Sequence, residues 1–446
     1  MEFNNNKGEL NFPFEIKKIE PELNDQLLKD FTGEKTGFVQ VGKEKWFFPS
    51  QYSSMAEKFY NFQARSDDIW VVTFPRSGTT WTQELVWMIA NDLDYQGAQR
   101  EPLTKRFPFF EFAAFLHPET KAELMRLNTE SPQNQAFVDE ISVPAYTFLP
   151  NITKRRFIKT HFPFSLLPPS VLKSGAKIIY VARNPRDVAV SFYHLNRLYR
   201  SQGYTGDFHT YWGYFERNLA PWMPYWTHIR EGWEHRDHPN VLFMLYEDMN
   251  SDLTSTIRRV ADFLGKSLND MDIDCLSNYL SIEQFRKNNS VNCTELKEIH
   301  LLNSGEQEFV RRGKTDGWSE EYTPELKERK QKKLGEKTGF VQVGKEKWFF
   351  PSQYSSMAEK FYNFQARSDD IWVVTFPRSG TTWTQELVWM IANDLDYQGA
   401  QREPLTKRFP FFEFAAFLHP ETKAELMRLN TESPQNQAFV DEISVP

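Results

Sequence analysis

The sequence is poor in cysteine and lacks long apolar runs. It contains two cysteines in 446 residues, Cys275 and Cys293, which excludes a disulfide framework and a cysteine-rich zinc site. No segment approaches the ~20 consecutive apolar residues that span a bilayer. The N-terminal segment MEFNNNKGEL lacks the basic and apolar stretches of a secretory signal. These absences predict a cytoplasmic protein with no membrane partner.

Positive charge is also in short supply. The chain has 53 Lys and Arg against 60 Asp and Glu, a net charge of -7, which argues against a general nucleic-acid-binding protein. Any anionic ligand must therefore be held by a local site. Aromatic residues, in contrast, make up 15% of the chain, which indicates a well-filled core and an apolar ligand cavity.

One block of sequence occurs twice without a single change. Gly33 to Pro144 recurs as Gly335 to Pro446, a copy of 112 residues. Natural repeat arrays drift because each unit packs against different neighbours, so perfect identity indicates a recent duplication or an error in the gene model, and we favour the error. We expect residues 1–334 to form the working domain and residues 335–446 to be an incomplete, non-functional duplicate.

A strand, a polar turn and a helix follow one another near residue 75. Ile69–Phe74 is β-branched and aromatic, which predicts a buried strand. The turn Arg76–Thr80 precedes a helix over Trp81–Asn91, and the N–H groups at a helix start form an anion site. The GxxxxGK[ST] pattern is absent, which disfavours an ATPase. An ordinary strand-to-helix turn is the alternative interpretation.

Further strands alternate with helices along the chain. Strands are predicted at Arg156–Thr160, Lys177–Ala182 and Asn240–Tyr246, with helices through Ser191 and across Leu253–Leu264. This alternation predicts a three-layer α/β fold with a central parallel sheet and right-handed crossovers. Ligands of such sheets bind beyond the carboxyl ends of the strands. Polar residues fall at those ends, among them Arg76, His161, Arg183, Glu247 and Asp248.

Five motifs resemble those of the cytosolic sulfotransferase family and occur in the family's order. They are Thr73–Trp81 (TFPRSGTTW), Lys159–His161 (KTH), Tyr180–Ser191 (YVARNPRDVAVS), Tyr246–Met249 (YEDM) and Phe309–Gly313 (FVRRG). The resemblance implies a P-loop-like sulfotransferase fold with 3′-phosphoadenylyl sulfate (PAPS) as the sulfuryl donor and PAP as the product. It also implies a small hydroxylated or amino acceptor.

The resemblance further implies which residues bind PAPS. Those expected around the 5′-phosphate are Arg76, Ser77, Gly78, Thr79 and Thr80. Those expected around the 3′-phosphate are Arg183, Ser191, Arg311, Arg312 and Gly313. Those expected on the adenine side are Trp81, Tyr246, Ser281 and Ile282. Arginine suits phosphate because its planar guanidinium donates two parallel hydrogen bonds. Taken alone, each residue also fits a structural role, such as a helix cap, a surface ion pair or a core aromatic.

Three residues are the candidate catalytic groups. His161 ends a predicted strand, and an imidazole titrates near operating pH, so we expect it to remove the proton of the acceptor. Lys159 lies on the same side of the strand. With Arg76 it is expected to neutralise the charge that grows on the leaving oxygens. No metal is expected, because the histidines lack a close ligand spacing with acids.

The acceptor site is predicted to be apolar, with ordinary core packing as the alternative for each of its residues. The aromatic run Phe107–Phe112 contains two positions, Phe109 and Phe112, that match substrate-contact positions of the family. Phe148, Phe162 and Tyr193 are expected to join them.

Departures from the family pattern leave other functions open. Arg76 stands where most relatives have lysine, and the stretch from Phe112 to Lys159 is longer than in most mammalian relatives. Both features resemble the insect branch of the family that includes retinol dehydratase. That enzyme uses the same donor, but its reaction ends in elimination. A dehydratase and a non-catalytic nucleotide- or lipid-binding module are therefore alternatives. The usual dimer motif is not recognisable at Tyr322–Leu326, so the oligomeric state and the acceptor stay open.

Overall fold

The computed structural model divides the chain into two units, Met1–Glu321 and Tyr322–Pro446. In the larger unit it describes residues 10–310, 313 and 317–320. In the smaller unit it describes residues 340–343, 348–351, 354–365, 367, 369–374, 385, 388, 391–393, 396–402, 405–408, 423, 427 and 428.

The strands of the larger unit form one antiparallel and one parallel sheet. They are β1 (Ile16–Lys18), β2 (Phe38–Val41), β3 (Trp46–Pro49), β4 (Ile69–Thr73), β5 (Phe157–Thr160), β6 (Lys177–Ala182) and β7 (Val241–Leu245). The first three pair antiparallel in chain order. The other four form a parallel sheet in the order β5-β4-β6-β7. The predicted α/β class with a central parallel sheet is confirmed.

The helices of the larger unit lie mostly between these strands. In chain order, the α-helices in its described part are α1 (Pro21–Asp30), α2 (Ala56–Tyr60), α3 (Thr79–Ala90), α4 (Tyr95–Arg100), α5 (Leu103–Arg106), α6 (Pro118–Leu127), α7 (Pro132–Ile141), α8 (Ala145–Phe148), α9 (Pro169–Lys173), α10 (Pro185–Leu198), α11 (Phe208–Glu216), α12 (Tyr225–Glu234), α13 (Tyr246–Ser251), α14 (Leu253–Leu264), α15 (Asp270–Tyr279), α16 (Ile282–Lys287) and α17 (Thr294–Glu298). Short 3₁₀ turns occur at Ser50–Ser54, Phe112–Phe115, Leu149–Asn151, Phe164–Leu166 and Gly317–Glu320.

Side chains alternate between the two faces of the parallel sheet, and helices pack against both faces. On one face, Val71 and Ile179 belong to an apolar core that also contains residues of α3 and α14. On the other face, Trp70 packs against Phe110 with ring centroids 5.2 Å apart. On that same face, the hydroxyl of Tyr180 lies 2.7 Å from Nδ1 of His228 in α12. The sheet is therefore the middle of three layers.

The register of the sheet gathers the polar loops at one edge. Val72 of β4 lies opposite Thr160 of β5, and Thr73 lies opposite Val181 of β6. Because parallel strands end together, the residues that follow these strands come from distant parts of the sequence and lie side by side.

The predicted strands of the parallel sheet and the helices between them lie within two residues of those observed. The strand Lys177–Ala182 and the helix Leu253–Leu264 have the predicted bounds. The strand predicted to reach Tyr246 ends at Leu245, because Tyr246 is the first residue of α13. Glu247 and Asp248 occupy the first turn of that helix, where carboxylates interact favourably with the helix dipole.

The smaller unit contains a β-hairpin and short helices among its described residues. They are β8 (Phe340–Val343), β9 (Trp348–Pro351), α18 (Tyr354–Tyr362), α19 (Tyr397–Arg402) and α20 (Leu405–Arg408). The hairpin has the register of its identical counterpart in the larger unit, since Phe340 pairs with Pro351 as Phe38 pairs with Pro49.

Across the described part of the chain, no helix combines the length and the apolar character needed to cross a membrane.

Candidate active site

The loop between β4 and α3 has the form of a phosphate-binding turn. Arg76 and Gly78 have φ values of 67° and 92°, in the left-handed region. A Cβ on Gly78 would lie 2.6 Å from Cδ2 of Tyr246, so only glycine fits here. The first N–H groups of α3 have no partner within the helix. The buried hydroxyl of Ser77 also has no hydrogen-bond partner among the described residues. This donor set fits a phosphate group.

Arg76 links this loop to the helix that carries Ser191. Its Nε donates to Oγ of Ser191 at 2.9 Å, and one of its terminal nitrogens donates to the carbonyl of Phe309 at 3.1 Å. Arg183 donates to the carbonyl of Arg76 at 2.9 Å, and its guanidinium lies 4.1 Å from the centroid of the Tyr246 ring. The structure therefore brings together residues that the sequence assigned to the 5′ and 3′ phosphates.

The residues assigned to adenine border the same cavity. Trp81 donates from its indole nitrogen to the carbonyl of Leu280 at 2.9 Å. Its ring lies 5.9 Å from that of Tyr246. A Cβ on Gly313 would lie 2.5 Å from Cδ1 of Ile282, so these two segments approach closely. Ser281 caps α16, where its side chain accepts from the N–H of Gln284 at 3.4 Å. Arg311 and Arg312 lie outside the described residues.

His161 is held with one ring nitrogen on a backbone carbonyl. Its Nδ1 lies 2.8 Å from the oxygen of Thr73. A carbonyl only accepts, so Nδ1 carries the proton and Nε2 keeps a lone pair. Burial, together with the Lys159 charge, lowers the pKa of His161 well below its usual value near 6.5. The imidazole is therefore neutral at pH 7 and able to accept a proton at Nε2.

Lys159 is placed by an extra strand-like contact at the edge of β5. The N–H of Phe110 donates to the carbonyl oxygen of Lys159 at 2.8 Å, and the N–H of Lys159 donates to the carbonyl oxygen of Pro108 at 3.0 Å. The ammonium group lies 4.3 Å from the centroid of the Phe109 ring. Desolvation lowers the pKa of Lys159, while the charge of Glu111 opposes that shift.

A cavity of about 430 Å³ joins these groups. The residues in its lining that the sequence had singled out include Arg76, Gly78, Thr79, Thr80, Trp81, Lys159, His161, Arg183, Ser191, Tyr246 and Ser281. Its aromatic lining includes Phe109, Phe112, Phe115 and Trp222. A neighbouring cavity of about 620 Å³ has Phe109, Phe112, Lys159 and Tyr199 in its lining as well, and it also contains Phe148.

Two of the predicted acceptor residues lie outside both cavities. Phe162 is fully buried against other aromatic rings, including Phe48 at 5.7 Å. Tyr193 packs against Phe208, with ring centroids 5.4 Å apart. It follows Ser191 by two residues, which is about 200° around a helix, so it points to the other side of α10.

Several residues that build the site were not predicted from the sequence. Trp222 and Tyr199 come from segments with no recognised motif, yet both border the main cavity. Glu111 accepts hydrogen bonds from the N–H of His161 and the indole of Trp222. A single carboxylate within the aromatic run FPFFEFAAF was a signal that could have revealed it.

A comparison with protein families shows where this arrangement belongs. The sulfotransferase domain matches residues 66–341 and again residues 368–438. The chain is 37% identical over 319 residues to luciferin sulfotransferase of Photinus pyralis, covering 70% of this chain and 83% of that relative. It is 31% identical over 268 residues to human sulfotransferase 1E1, covering 60% of this chain and 82% of the relative.

Solved structures that are similar to this chain include members of the same family. Retinol dehydratase in complex with androsterone and inactive cofactor PAP is 36% identical, with a TM-score of 0.67. The match covers 74% of this chain and 97% of that one. The same enzyme in a complex with retinol and PAP is 35% identical with the same TM-score of 0.67.

The fold and the site thus define an α/β group-transfer enzyme with a phosphate-binding loop. The chain belongs to the sulfotransferase family, and it is a PAPS-dependent sulfotransferase. Among the residues that the structure describes, no group of three or more His, Cys, Asp and Glu could hold a metal ion. The absence of a metal from the reaction stays a prediction.

Proposed function

We propose that this enzyme transfers the sulfuryl group of PAPS to the hydroxyl, or amine, of an elongated apolar acceptor, with His161 as the base. One observation carries the proposal: a single cavity is bordered by the phosphate loop, by Lys159 and His161, and by an aromatic wall. A donor and an apolar acceptor can therefore meet beside one neutral imidazole.

The chain offers separate groups for the two phosphates of the donor. The N–H groups at the start of α3 and the Ser77 hydroxyl would hold the 5′ side. Arg183 and Ser191 would hold the 3′ side, and Trp81 and Tyr246 would flank the adenine. When bound, PAPS supplies an activated sulfuryl group whose leaving group is PAP.

His161 is positioned to take the proton of the acceptor. Nε2 accepts the proton while Nδ1 keeps its bond to the Thr73 carbonyl, which also stabilises the resulting imidazolium. Lys159 and Arg76 supply positive charge toward the leaving oxygens. Arg76 acts by charge and hydrogen bonding alone, because a guanidinium does not release its proton in a protein.

The shape of the cavities supports an elongated acceptor. The second cavity, about 620 Å³, shares Phe109, Phe112 and Lys159 with the first and continues to Phe148. The similar solved structures of retinol dehydratase hold androsterone and retinol. We therefore propose flat or rod-like lipophilic alcohols as the acceptor class.

A dehydratase is the second candidate function. Similarity to retinol dehydratase at 36% identity and a TM-score of 0.67 favours it. In that reaction an allylic hydroxyl is sulfated first. The sulfate then leaves with its bonding electrons, and a carbon-bound proton is lost to form a new double bond.

Product analysis separates the two functions. The full chain is incubated with PAPS carrying radiolabelled sulfate and with phenols, sterols, retinol or catecholamines. A labelled ester that persists supports sulfuryl transfer, whereas free labelled sulfate together with an unsaturated product supports elimination. Transfer to small phenols with no turnover of any sterol or retinol would contradict the elongated-acceptor proposal.

We also propose that residues 1–334 are the catalytic domain and that residues 335–446 are an incomplete duplicate. The structure divides the chain between Glu321 and Tyr322, 13 residues before the proposed boundary, which supports a division in this region. The duplicate contains no counterpart of Lys159, His161, Arg183 or Ser191.

A further inference from the structure

Glu111 is a buried carboxylate that touches neither cavity. Its side chain is fully enclosed, at 0% exposure, and it forms no ion pair with any described residue. Three donors surround it instead. The Thr160 hydroxyl donates at 2.8 Å, the N–H of His161 at 2.7 Å, and the indole of Trp222 at 3.0 Å.

These bonds fix the backbone that carries the base. The Thr160 hydroxyl donates to Glu111 and at the same time accepts from the N–H of Phe162 at 3.0 Å. The three residues at the end of β5 are thus tied to one carboxylate. The position of the His161 ring depends on this stretch and on the Thr73 carbonyl.

The same carboxylate fixes one wall of the acceptor cavity. The Trp222 ring lies 5.3 Å from the His161 ring and is stacked on Phe115 at 4.0 Å. Trp222 has a φ of 63°, which bulky residues rarely adopt, so surrounding bonds must hold it there. Its hydrogen bond to Glu111 spans 111 residues of sequence. It connects the loop that carries Trp222 to the carboxylate that also holds the His161 backbone.

We infer that Glu111 is a positioning residue of the transfer reaction: one carboxylate sets the His161 base and the Trp222 wall relative to each other. The inference rests on the proposed function of His161. Because a misplacement of about 1 Å can reduce a rate about 10²-fold, losing this link should affect acceptor turnover and not nucleotide binding.

The charge state of Glu111 gives the inference a pH signature. All three partners donate, which suits an ionised carboxylate that only accepts. Burial raises the pKa of Glu111 to about 7, against the effect of these hydrogen bonds. The titratable groups facing it are Lys159, His161 and Tyr52. As the pH falls through about 7, the carboxylate gains a proton and loses acceptor capacity, so kcat/KM should fall.

Glu111→Gln imitates the protonated carboxyl and is the main test. We expect kcat/KM for the acceptor to fall about 10-fold above pH 7. The ratio of wild type to variant should approach one as the pH falls below the pKa of Glu111. The dissociation constant of PAP should not change. A pH-independent ratio, or an equal loss of PAP affinity, would overturn the inference in favour of a general structural role.

A second variant and a matched control distinguish a positioning role from a general structural role. Trp222→Phe keeps a ring but removes the indole donor, so it should raise KM for the acceptor more than it lowers kcat. Glu231→Gln is the matched control, because Glu231 is buried, has a raised pKa and accepts from the N–H of Ser165 at 2.8 Å, away from both cavities. It should keep the wild-type pH profile, and a profile flattened like that of Glu111→Gln would contradict the inference.

A readout without turnover separates this inference from the proposed function. In ¹⁵N spectra of the full chain, the indole signal of Trp222 is the one lost in Trp222→Phe. It should titrate near pH 7 in the wild type and be shifted and pH-independent in Glu111→Gln. A signal that ignores both pH and Glu111→Gln would overturn the inference, even if His161 proves to be the base. Conversely, a titrating signal with an inactive wild type would refute only the proposed function.

Discussion

Residues 33–144 and 335–446 have the same sequence, yet one segment of it has two conformations. The hairpin β2–β3 and its copy β8–β9 have the same register. Residues 69–73 form the buried strand β4, whereas residues 371–374 form no strand. Val72 is 0% exposed, and its identical counterpart Val374 is 87% exposed.

Asp68 and its counterpart Asp370 share a local hydrogen bond but differ in their long-range partner. The N–H of Arg65 donates to Asp68 at 2.8 Å, and the N–H of Arg367 donates to Asp370 at the same distance. Asp68 also receives a two-pronged bond from Arg156, at 2.7 and 2.5 Å. The copy has no counterpart of Arg156, and Asp370 bonds instead to the side chain of Arg367 at 3.1 Å.

The aromatic pair beside this turn shows the same pattern. Phe62 and Trp70 meet edge to face at 6.0 Å, and Phe364 and Trp372 meet in the same way at 5.7 Å. Trp70 is 0% exposed but Trp372 is 48% exposed. The turn and the ring pair are thus encoded locally. The strand forms only where β5 and β6 satisfy its backbone N–H and C=O groups.

The largest effect expected from this comparison is on stability. Trp70→Ala removes a ring from the middle of the core and should lower the free energy of unfolding by ~3–5 kcal/mol. The identical change Trp372→Ala removes a half-exposed ring and should stay within ~0.5 kcal/mol. Urea unfolding of the full chain, followed by circular dichroism, measures both. Equal losses would show that the second copy shares in the folded core.

A smaller effect is expected from His161, the proposed base, which has no counterpart in residues 335–446. His161→Ala should lower kcat by at least ~10²-fold, the usual contribution of a positioned acid–base group, while PAP affinity stays nearly unchanged. Single-turnover rates and calorimetric titration with PAP provide the two numbers. If PAP affinity falls with turnover, His161 holds the donor or the fold, and its assignment as base is wrong.

The sequence TFPRSGTTW occurs twice, at Thr73–Trp81 and at Thr375–Trp383, which allows a matched pair of variants. Arg76→Ala removes charged hydrogen bonds to Ser191 and Phe309 and a cation at the proposed phosphate site, so PAP affinity should fall by ~1.5–3 kcal/mol, a typical value for charged hydrogen bonds. Arg378→Ala makes the identical change in the copy, which has no Arg183 or Ser191 to complete a site. It should leave PAP affinity unchanged, and a comparable loss would reveal a second binding loop.

Much of the fold could be predicted from local sequence. The strand Lys177–Ala182 is a β-branched run with turn residues on both sides, and the helix Leu253–Leu264 keeps one apolar face, so their bounds matched. The alternation of strands and helices predicted that the sheet is parallel, but it did not predict the strand order β5-β4-β6-β7. The hairpin β2–β3 and its copy were missed, because neither has the two-residue glycine turn that marks hairpins most clearly.

The candidate site could be predicted only where motifs carry it. Arg76, His161 and Arg183 follow strands of one sheet, so their meeting was expected from topology. Trp222 and Glu111 meet across 111 residues of chain, a contact that no local pattern encodes. The neutral tautomer of His161 likewise depends on the Thr73 carbonyl of another strand. Tyr193 was expected in the acceptor site, but it follows Ser191 by two residues and therefore points to the other side of α10.

Removing the copy should have the smallest effect on turnover. Ending the chain at Leu334 should keep kcat/KM within about twofold, because every described residue of the cavity precedes residue 318. Solubility should rise, since the copy exposes apolar side chains such as Tyr362, at 90%, and Val374, at 87%. Calorimetry should find one PAP site in the long and the short chain. Two PAP sites of similar affinity in the long chain would show that the copy binds the nucleotide. A short chain without activity would show that the copy completes the fold of the catalytic domain.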